Sequence, residues 1–205
     1  MLKAVVFDLD GTITRPFLNF GEIRTEIGAL PGRLSVLDQI ESLPESERAR
    51  AWAILEAHEA RAAQNAEFND GACELLERIA RLGLFSAVVT RNSGESTRRV
   101  QEKLGFTVDR VIHRGSGLPL KPDPAALLAL AGEWGIAAGS MLMVGDYVYD
   151  ILAGRAAGVL TCFVSNGRGD ADHGQADFVV EKPGQVIELI EKMMQKTAGR
   201  DAGPA

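Results

Sequence analysis

Two hydrophobic patterns alternate along most of this chain of 205 residues. Short continuous apolar runs, rich in β-branched residues, lie at residues 4–7, 85–89, 141–144, 159–164 and 178–180. Segments with apolar side chains at helical spacing lie between and after them, at residues 73–82, 124–134 and 183–194. Continuous apolar strands that alternate with helices are typical of a parallel sheet covered on both faces. We therefore predict an α/β fold built on a doubly wound parallel sheet.

One long stretch interrupts this alternation. Between Thr14 and Asn69 the sequence shows no convincing strand and instead has three helical patterns, at residues 21–27, 36–43 and 44–67. A crossover between parallel strands needs only about a dozen residues, so this stretch is too long for an ordinary connection. We predict that residues 16–69 form a small α-helical cap inserted after the first strand. Residues 1–15 and 70–196 then form the core domain, and the small, polar residues 197–205 form a disordered tail.

Composition restricts the partners of the protein. The formal net charge is −6, with acidic residues spread along the chain, which argues against a nucleic-acid or anionic-membrane surface. Cys73 and Cys162 lie in helical and strand patterns and are interpreted as buried reduced thiols. We find neither a signal-peptide pattern nor an apolar stretch long enough to cross a bilayer. We expect a cytoplasmic protein, monomeric unless an oligomer is demonstrated, with a small-molecule partner.

Polar side chains follow the ends of three predicted strands. They are Asp8 and Asp10 after the first strand, Thr90 after the second, and Asp146 with Asp150 after the strand at 141–144. Lys121 stands just before the helical pattern that starts at residue 124. In an open parallel sheet, ligands bind outside the carboxyl ends of the strands. We therefore expect these side chains to converge at one edge of the sheet.

Converging carboxylates need a cation. At a separation of a few ångströms, two of them repel by about 4 kcal/mol at an effective dielectric constant near 20. Ligands that are all oxygen atoms suit Mg²⁺ better than zinc. A hydroxyl, a lysine and a metal ion around one point are typical of a phosphate site. We interpret Asp8 and Asp10 as a nucleophile and its acid partner, held by a metal ion.

Four short motifs make the chain resemble the haloacid dehalogenase (HAD) superfamily. The first two are "VVFDLDGT" at residues 5–12 and "AVVTRNS" at residues 87–93. The others are "KPDP" at residues 121–124 and "VGDYVYDILAGRAAGV" at residues 144–159. The resemblance covers the chain except the cap and the tail, and four motifs in order are a specific signal. It is strongest to the phosphoglycolate-phosphatase-like branch, which implies a Rossmann-like core and a helical cap after the first motif.

The resemblance implies a role for each matching residue. Asp8 would attack phosphorus to form an aspartyl phosphate, and Asp10 would protonate the leaving alcohol and then deprotonate the hydrolytic water. The ligands of Mg²⁺ would be the Asp8 carboxylate, the Asp10 backbone carbonyl and Asp146, with Asp150 assisting directly or through water.

The resemblance also implies a phosphate-binding set. Thr90 would hydrogen-bond a phosphate oxygen, aided by backbone N–H groups around Arg91 and Asn92. Lys121 would bridge the phosphate and Asp8. One residue departs from the pattern, because Tyr147 stands where the fourth motif often has serine. This departure puts the hydrogen bonding of that loop in doubt.

Other interpretations remain open to different degrees. Members of the superfamily that act on haloacids lack the second aspartate, and phosphonatases use a cap lysine, whereas residues 16–69 contain no lysine. A phosphomutase uses the same core and stays open. A receiver-like signalling domain, phosphorylated on aspartate without turnover, is disfavoured by the helical insertion and the motif order. We expect a Mg²⁺-dependent phosphatase that acts on a small, phosphoglycolate-like phosphorylated metabolite.

Overall fold

A six-stranded parallel sheet forms the centre of the protein. The computed structural model describes residues 1–28, 35–169, 172–173 and 175–198. The strands are β1 (Ala4–Phe7), β2 (Phe85–Val89), β3 (Arg110–Ile112), β4 (Met141–Gly145), β5 (Leu160–Val164) and β6 (Phe178–Val180). Their order in the sheet is β3-β2-β1-β4-β5-β6. The predicted α/β fold with a parallel sheet is therefore confirmed. Only β3, a short edge strand, had no counterpart among the predicted apolar runs.

Eight α-helices lie in the described part of the chain. They are α1 (Phe20–Glu26), α2 (Val36–Ser42), α3 (Glu45–Asn65), α4 (Ala72–Arg81), α5 (Gly94–Leu104), α6 (Ala125–Trp134), α7 (Val148–Ala157) and α8 (Val186–Ala198). The helical pattern at 183–194 begins as a 3₁₀ turn, Pro183–Gln185, and becomes α-helical only at Val186. Helix α8 continues through Thr197 and Ala198, which the sequence placed in the tail, and residues 199–205 lie outside the described residues.

The sheet buries both of its faces, as the continuous apolar strands predict. On β1, Val5 and Phe7 point into one apolar cluster and Ala4 and Val6 into the other, because successive side chains of a strand face opposite sides. The first cluster packs against α4, α5 and α8, and the second against α6 and α7. No described helix is both long and apolar enough to cross a membrane.

The helices between β1 and α4 have a small apolar cluster of their own. Its buried members are Ile23, Ile27, Val36, Ile40, Ala51 and Leu55. The second half of α3 behaves differently, because Ala63 belongs to the main core cluster. Hydrogen bonds also join this half to α5, from Ser96 Oγ to the Glu59 carbonyl (3.1 Å) and from Lys103 Nζ to the Gln64 carbonyl. The division of the chain at residues 16 and 69 stays a prediction, and α3 lies against both parts.

Candidate active site

The strand order places the predicted side chains side by side. Strand β1 lies between β2 and β4, so Asp8, Thr90 and Asp146 follow three neighbouring strands at one edge. The backbone N–H of Asp8 donates to the Val144 carbonyl over 2.9 Å, which continues the β1–β4 pairing to the first aspartate. From β1 the chain adds β2 and β3 on one side of the sheet. It then returns to the other side of β1 and adds β4, β5 and β6 in turn. A crevice at such a reversal is the usual ligand site of an open α/β sheet.

Three aspartates form an acidic group at this edge. Asp8, Asp146 and Asp150 each offer a carboxylate oxygen, and these oxygens lie within 4.8 Å of one another. Burial, followed by the charges of Asp8 and Asp150, raises the pKa of Asp146 well above its usual value. Burial likewise raises the pKa of Asp150, although Lys121 opposes the shift. Ionised carboxylates that are buried so close together cost the folded protein free energy. A set of ligands that are all oxygen atoms fits Mg²⁺.

Two glycines allow the acidic group to form. Gly11 has a φ of +79°, and a Cβ atom there would lie 2.2 Å from Asp146 Oδ2. A Cβ atom at Gly145 would lie 2.3 Å from the Asp150 side chain. Heavy atoms cannot approach so closely, so a side chain at either position would displace a carboxylate. The glycines of the first and fourth motifs therefore leave room for Asp146 and Asp150.

Lys121 is the buried cation of the site. Its side chain is 3% exposed, and Nζ lies 2.7 Å from Asp8 Oδ1 and 2.6 Å from Asp150 Oδ1. Burial lowers the pKa of Lys121, but the charges of Asp150 and Asp8 outweigh it, so the net shift is upward and the ammonium stays charged. Asp150 also accepts the Tyr147 N–H at the start of α7 (3.0 Å). It therefore acts both as a helix cap and as a partner of Lys121.

Asp10 lies apart from the three-aspartate group and has its own partners. Its Oδ2 accepts a hydrogen bond from Asn92 Nδ2, and its Oδ1 accepts one from Thr14 Oγ1 (3.4 Å). Burial, followed by the charge of Asp8, raises the pKa of Asp10 to about 7. A carboxyl group with such a pKa is suited to give and take protons near neutral pH. The Asp10 carboxylate is thus held away from the acidic group and in place for acid–base work.

Two side chains of the loop after β2 make contacts that the sequence did not lead us to expect. Thr90 lines the pocket, and its Oγ1 accepts the N–H of Asn92 over 3.2 Å. The Asn92 side chain instead holds Asp10, a contact that the motif did not predict. The Arg91 side chain extends toward α2, where Nη2 donates to Ser35 Oγ (2.9 Å). Its guanidinium also lies 5.0 Å from the centre of the ring of Tyr149 on α7.

A cavity of about 340 Å³ lies between this sheet edge and the cap. The core supplies the aspartates, Thr90 and Lys121, and the cap supplies apolar walls such as Leu18, Phe20 and Leu55. Sequence analysis missed Arg168, whose Nη2 donates to Asp146 Oδ2 over 2.9 Å. Its position just after β5, at the same edge of the sheet, was the available signal. It also missed the pair of Glu59 and Arg114, for which the helical pattern of the cap carried no signal.

Comparison with known proteins identifies the family. The model of the haloacid dehalogenase-like hydrolases matches residues 2–158. The chain belongs to this family. The resemblance found in the four motifs is confirmed, and the protein is an enzyme of the hydrolase class.

Similar proteins support this membership over nearly the whole chain. An uncharacterized hydrolase of Saccharomyces cerevisiae is 31% identical over 96% of this chain and 94% of its own length. The N-acetylmuramic acid 6-phosphate phosphatase of Pseudomonas aeruginosa is 28% identical over 94% of this chain and 96% of its own. The crystal structure of a predicted phosphoglycolate phosphatase from Haemophilus somnus has a TM-score of 0.73. It covers 92% of this chain and 98% of its own at 20% identity, and therefore supports the fold alone.

Proposed function

We propose that this HAD-like hydrolase is a Mg²⁺-dependent phosphatase that hydrolyses a small phosphorylated metabolite through an aspartyl-phosphate intermediate. One observation carries the proposal. Asp8 lies in a group of three carboxylates, is bound by the buried Lys121, and stands two residues from Asp10, whose carboxyl group is kept separate. A nucleophile, a cation and an acid–base group are what transfer of a phosphoryl group to an enzyme requires.

The carboxylates of Asp8, Asp146 and Asp150 would hold Mg²⁺, with the backbone carbonyl of Asp10 as a further ligand implied by the family resemblance. When bound, the ion supplies positive charge that offsets the repulsion between an anionic phosphate and these carboxylates. The proposal is supported by the donor set, which contains only oxygen atoms. It is also supported by the pKa of Asp146, which burial and then the charges of Asp8 and Asp150 raise and which a bound cation would lower.

Four side chains carry out the two steps of the proposed reaction. An Asp8 oxygen attacks phosphorus, the bond from phosphorus to the leaving oxygen breaks, and Asp10 gives that oxygen a proton. A water molecule then loses a proton to Asp10 as it attacks the aspartyl phosphate, which releases inorganic phosphate and restores Asp8. Lys121 and the Thr90 hydroxyl stabilise the charge on the phosphoryl oxygens. The two steps together return the enzyme to its starting state, as turnover requires.

The pocket indicates the size of the substrate. A cavity of about 340 Å³ is at the small end of the range for ligand pockets, which supports a small metabolite as the substrate. The phosphatase and mutase alternatives share this core. A mutase would return the phosphoryl group to the substrate, and a receiver-like domain would keep it on Asp8.

Phosphate release tests the proposed function. We expect the purified protein in Mg²⁺ to release inorganic phosphate over many turnovers from some members of a panel of phosphorylated metabolites. The panel includes phosphoglycolate and N-acetylmuramic acid 6-phosphate, and excess EDTA should abolish the release. Isomerised substrate without released phosphate would instead establish a mutase. A stable aspartyl phosphate without turnover would establish the receiver-like alternative.

Mg²⁺ should raise the melting temperature of the protein. A ligand that binds only the folded state stabilises it by RT ln(1 + [L]/Kd), about 2.7 kcal/mol at one hundred times Kd. For a chain of this size each kcal/mol shifts the melting temperature by about 2–4 °C, so a shift of about 5–10 °C is expected in a thermal-shift titration.

Two variants make the titration specific for the acidic group. Asp146→Asn removes one of the proposed ligands and should greatly reduce the response to Mg²⁺. Glu188→Gln removes an exposed carboxylate on α8 that pairs with Lys192 on the helix surface, and should respond as the wild type does. If the wild type did not respond, or if Asp146→Asn responded fully, the assignment of the metal to this group would be wrong.

A further inference from the structure

A buried carboxylate from the cap helix α3 reaches into the catalytic edge of the core. Glu59 is 2% exposed. Its Oε1 accepts a hydrogen bond from Arg114 Nη1 (2.7 Å), and its Oε2 accepts from Arg114 Nη2 (3.1 Å) and from the Ser93 backbone N–H (3.1 Å). A buried charge is stable only when it is paired and hydrogen-bonded, and Glu59 meets this condition entirely with groups of the core.

The same ion pair holds the backbone of the loop after β2. Arg114 Nη1 also donates to the Arg91 carbonyl (3.0 Å), and the Arg114 backbone N–H donates to the Asn92 carbonyl (2.9 Å). Glu59 accepts a hydrogen bond from the backbone N–H of Ser93. Three consecutive loop residues are therefore bound, through their backbones, to Glu59 or to its partner. The guanidinium of Arg114 is also fixed from α3, because it lies 5.0 Å from the centre of the Trp52 ring.

The middle residue of that loop contacts the acid–base group. Asn92 is 8% exposed, and its Nδ2 donates to Asp10 Oδ2. Because the backbone of residues 91–93 is held, the Asn92 side-chain amide has a fixed position relative to Asp10. This contact and the one from Thr14 set the orientation of the Asp10 carboxyl group. A chain of contacts thus runs from α3 to the proton donor.

We propose that Glu59 is a positioning residue for Asp10. Through Arg114 and the backbone of residues 91–93, it holds Asn92 so that Asp10 points its proton toward the leaving oxygen of the substrate. The proposal rests on the phosphatase function proposed above and adds a residue of the cap to it. Glu59 lines the pocket but lies outside the acidic group, and its charge also raises the pKa of Asp10. In the first step, its effect therefore falls on the proton that the leaving oxygen takes from Asp10 as its bond to phosphorus breaks.

A positioning role and a merely structural tie between α3 and the core predict different kinetics. The parameter kcat/KM reports only the steps up to departure of the leaving group. An alkyl phosphate needs its leaving oxygen protonated in that step, whereas p-nitrophenyl phosphate releases a stable anion and needs little help. Loss of proton donation therefore lowers kcat/KM for the alkyl ester selectively. A loss of folded protein lowers kcat/KM for both esters by the same factor.

The test compares these two esters in Glu59→Gln, with the alkyl ester taken as the best substrate of the metabolite panel. Glutamine keeps the shape but turns an NH₂ group or a neutral oxygen toward Arg114. A general acid contributes about 10²–10⁴-fold, so a misplaced one should lower kcat/KM for the alkyl ester by about 30-fold, and that for p-nitrophenyl phosphate by less than about threefold. Lys103→Gln removes another contact between α3 and α5, away from the loop, and should leave both values unchanged.

A second variant covers the case in which Glu59→Gln fails to fold. Asn92→Ala removes the hydrogen bond from Asn92 to Asp10 and should show the same selective loss. The double variant should lose no more selectivity than Asn92→Ala alone, because residues that act through one another are not additive. Equal losses for both esters, or additive losses in the double variant, would overturn the positioning role while the phosphatase function stands. A wild-type protein that hydrolysed neither ester would overturn the proposed function itself.

Discussion

Asp8→Asn should fold normally and retain less than about one-thousandth of the wild-type phosphatase activity. The amide has nearly the same shape as the carboxylate but cannot form an acyl phosphate, and loss of a covalent nucleophile costs several orders of magnitude in kcat. Folding should survive because Lys121 keeps its second partner, Asp150, at 2.6 Å. Initial rates of phosphate release and the circular dichroism spectrum of the variant check the two parts of this expectation.

A surface aspartate provides the matched control for Asp8→Asn. Asp109 is exposed, accepts the Ser86 N–H near the amino end of β2 and lies outside the acidic group, so Asp109→Asn should keep most of the activity. Mass spectrometry of acid-quenched enzyme should detect a phosphorylated peptide containing residue 8 in the wild type and none in Asp8→Asn. Activity above a few per cent in Asp8→Asn would assign the nucleophile to another residue.

Lys121→Met should lower both the rate and the stability of the metal-free protein. Methionine fills the volume of the side chain but leaves Asp8 and Asp150 without the cation that they share. Removal of one partner of a buried ion pair costs about 3–5 kcal/mol, which corresponds to a fall of about 6–20 °C in melting temperature. Loss of a charge that stabilises the transition state should also lower kcat by about 10²–10³-fold.

Lys182, which pairs with Asp70 on the surface, provides the control for Lys121→Met. Lys182 Nζ lies 2.8 Å from Asp70, but both side chains are largely open to solvent, so Lys182→Met should change the stability by less than about 1 kcal/mol. Mg²⁺ should restore part of the melting temperature of Lys121→Met, because it supplies positive charge to the same carboxylates. Equal melting temperatures for the two variants would show that Lys121 does not neutralise the acidic group.

Most of the sheet and the acidic group could be predicted because local sequence determines both. Buried parallel strands are continuous apolar runs, and the residue after each run stands at the carboxyl end of its strand. Strand β3 was not predicted, because an edge strand of three residues is too short to show a hydrophobic pattern. Helix α5 is mostly polar and has few buried positions, so its pattern did not stand out.

The parts of the site that sequence did not reveal depend on contacts between distant segments. Arg168 reaches Asp146 from the loop after β5, and Arg114 meets Glu59 across 55 positions of the chain. No local rule assigns a partner to a charged residue on a helix or a loop. The direction of the Asn92 side chain has the same origin, because it follows from the approach of Asp10 in the fold and not from the motif that contains Asn92.

The attachment of α3 to the core bears on how the substrate range of such an enzyme can be changed. Leu18, just before α1, and residues such as Phe20 on α1 and Val36 on α2 face the pocket. The apolar cluster of α1 and α2 extends only to the first half of α3. An exchange of residues 17–43 for the corresponding segment of a relative would therefore alter the walls around the leaving group. An exchange that extended past Leu55 would also replace Glu59 and Ala63, which belong to the support of the loop and to the main core. The last graft boundary that preserves the chemistry thus lies at Leu55, within a continuous helix and about three turns before its end at Asn65, where a division by secondary structure would place it.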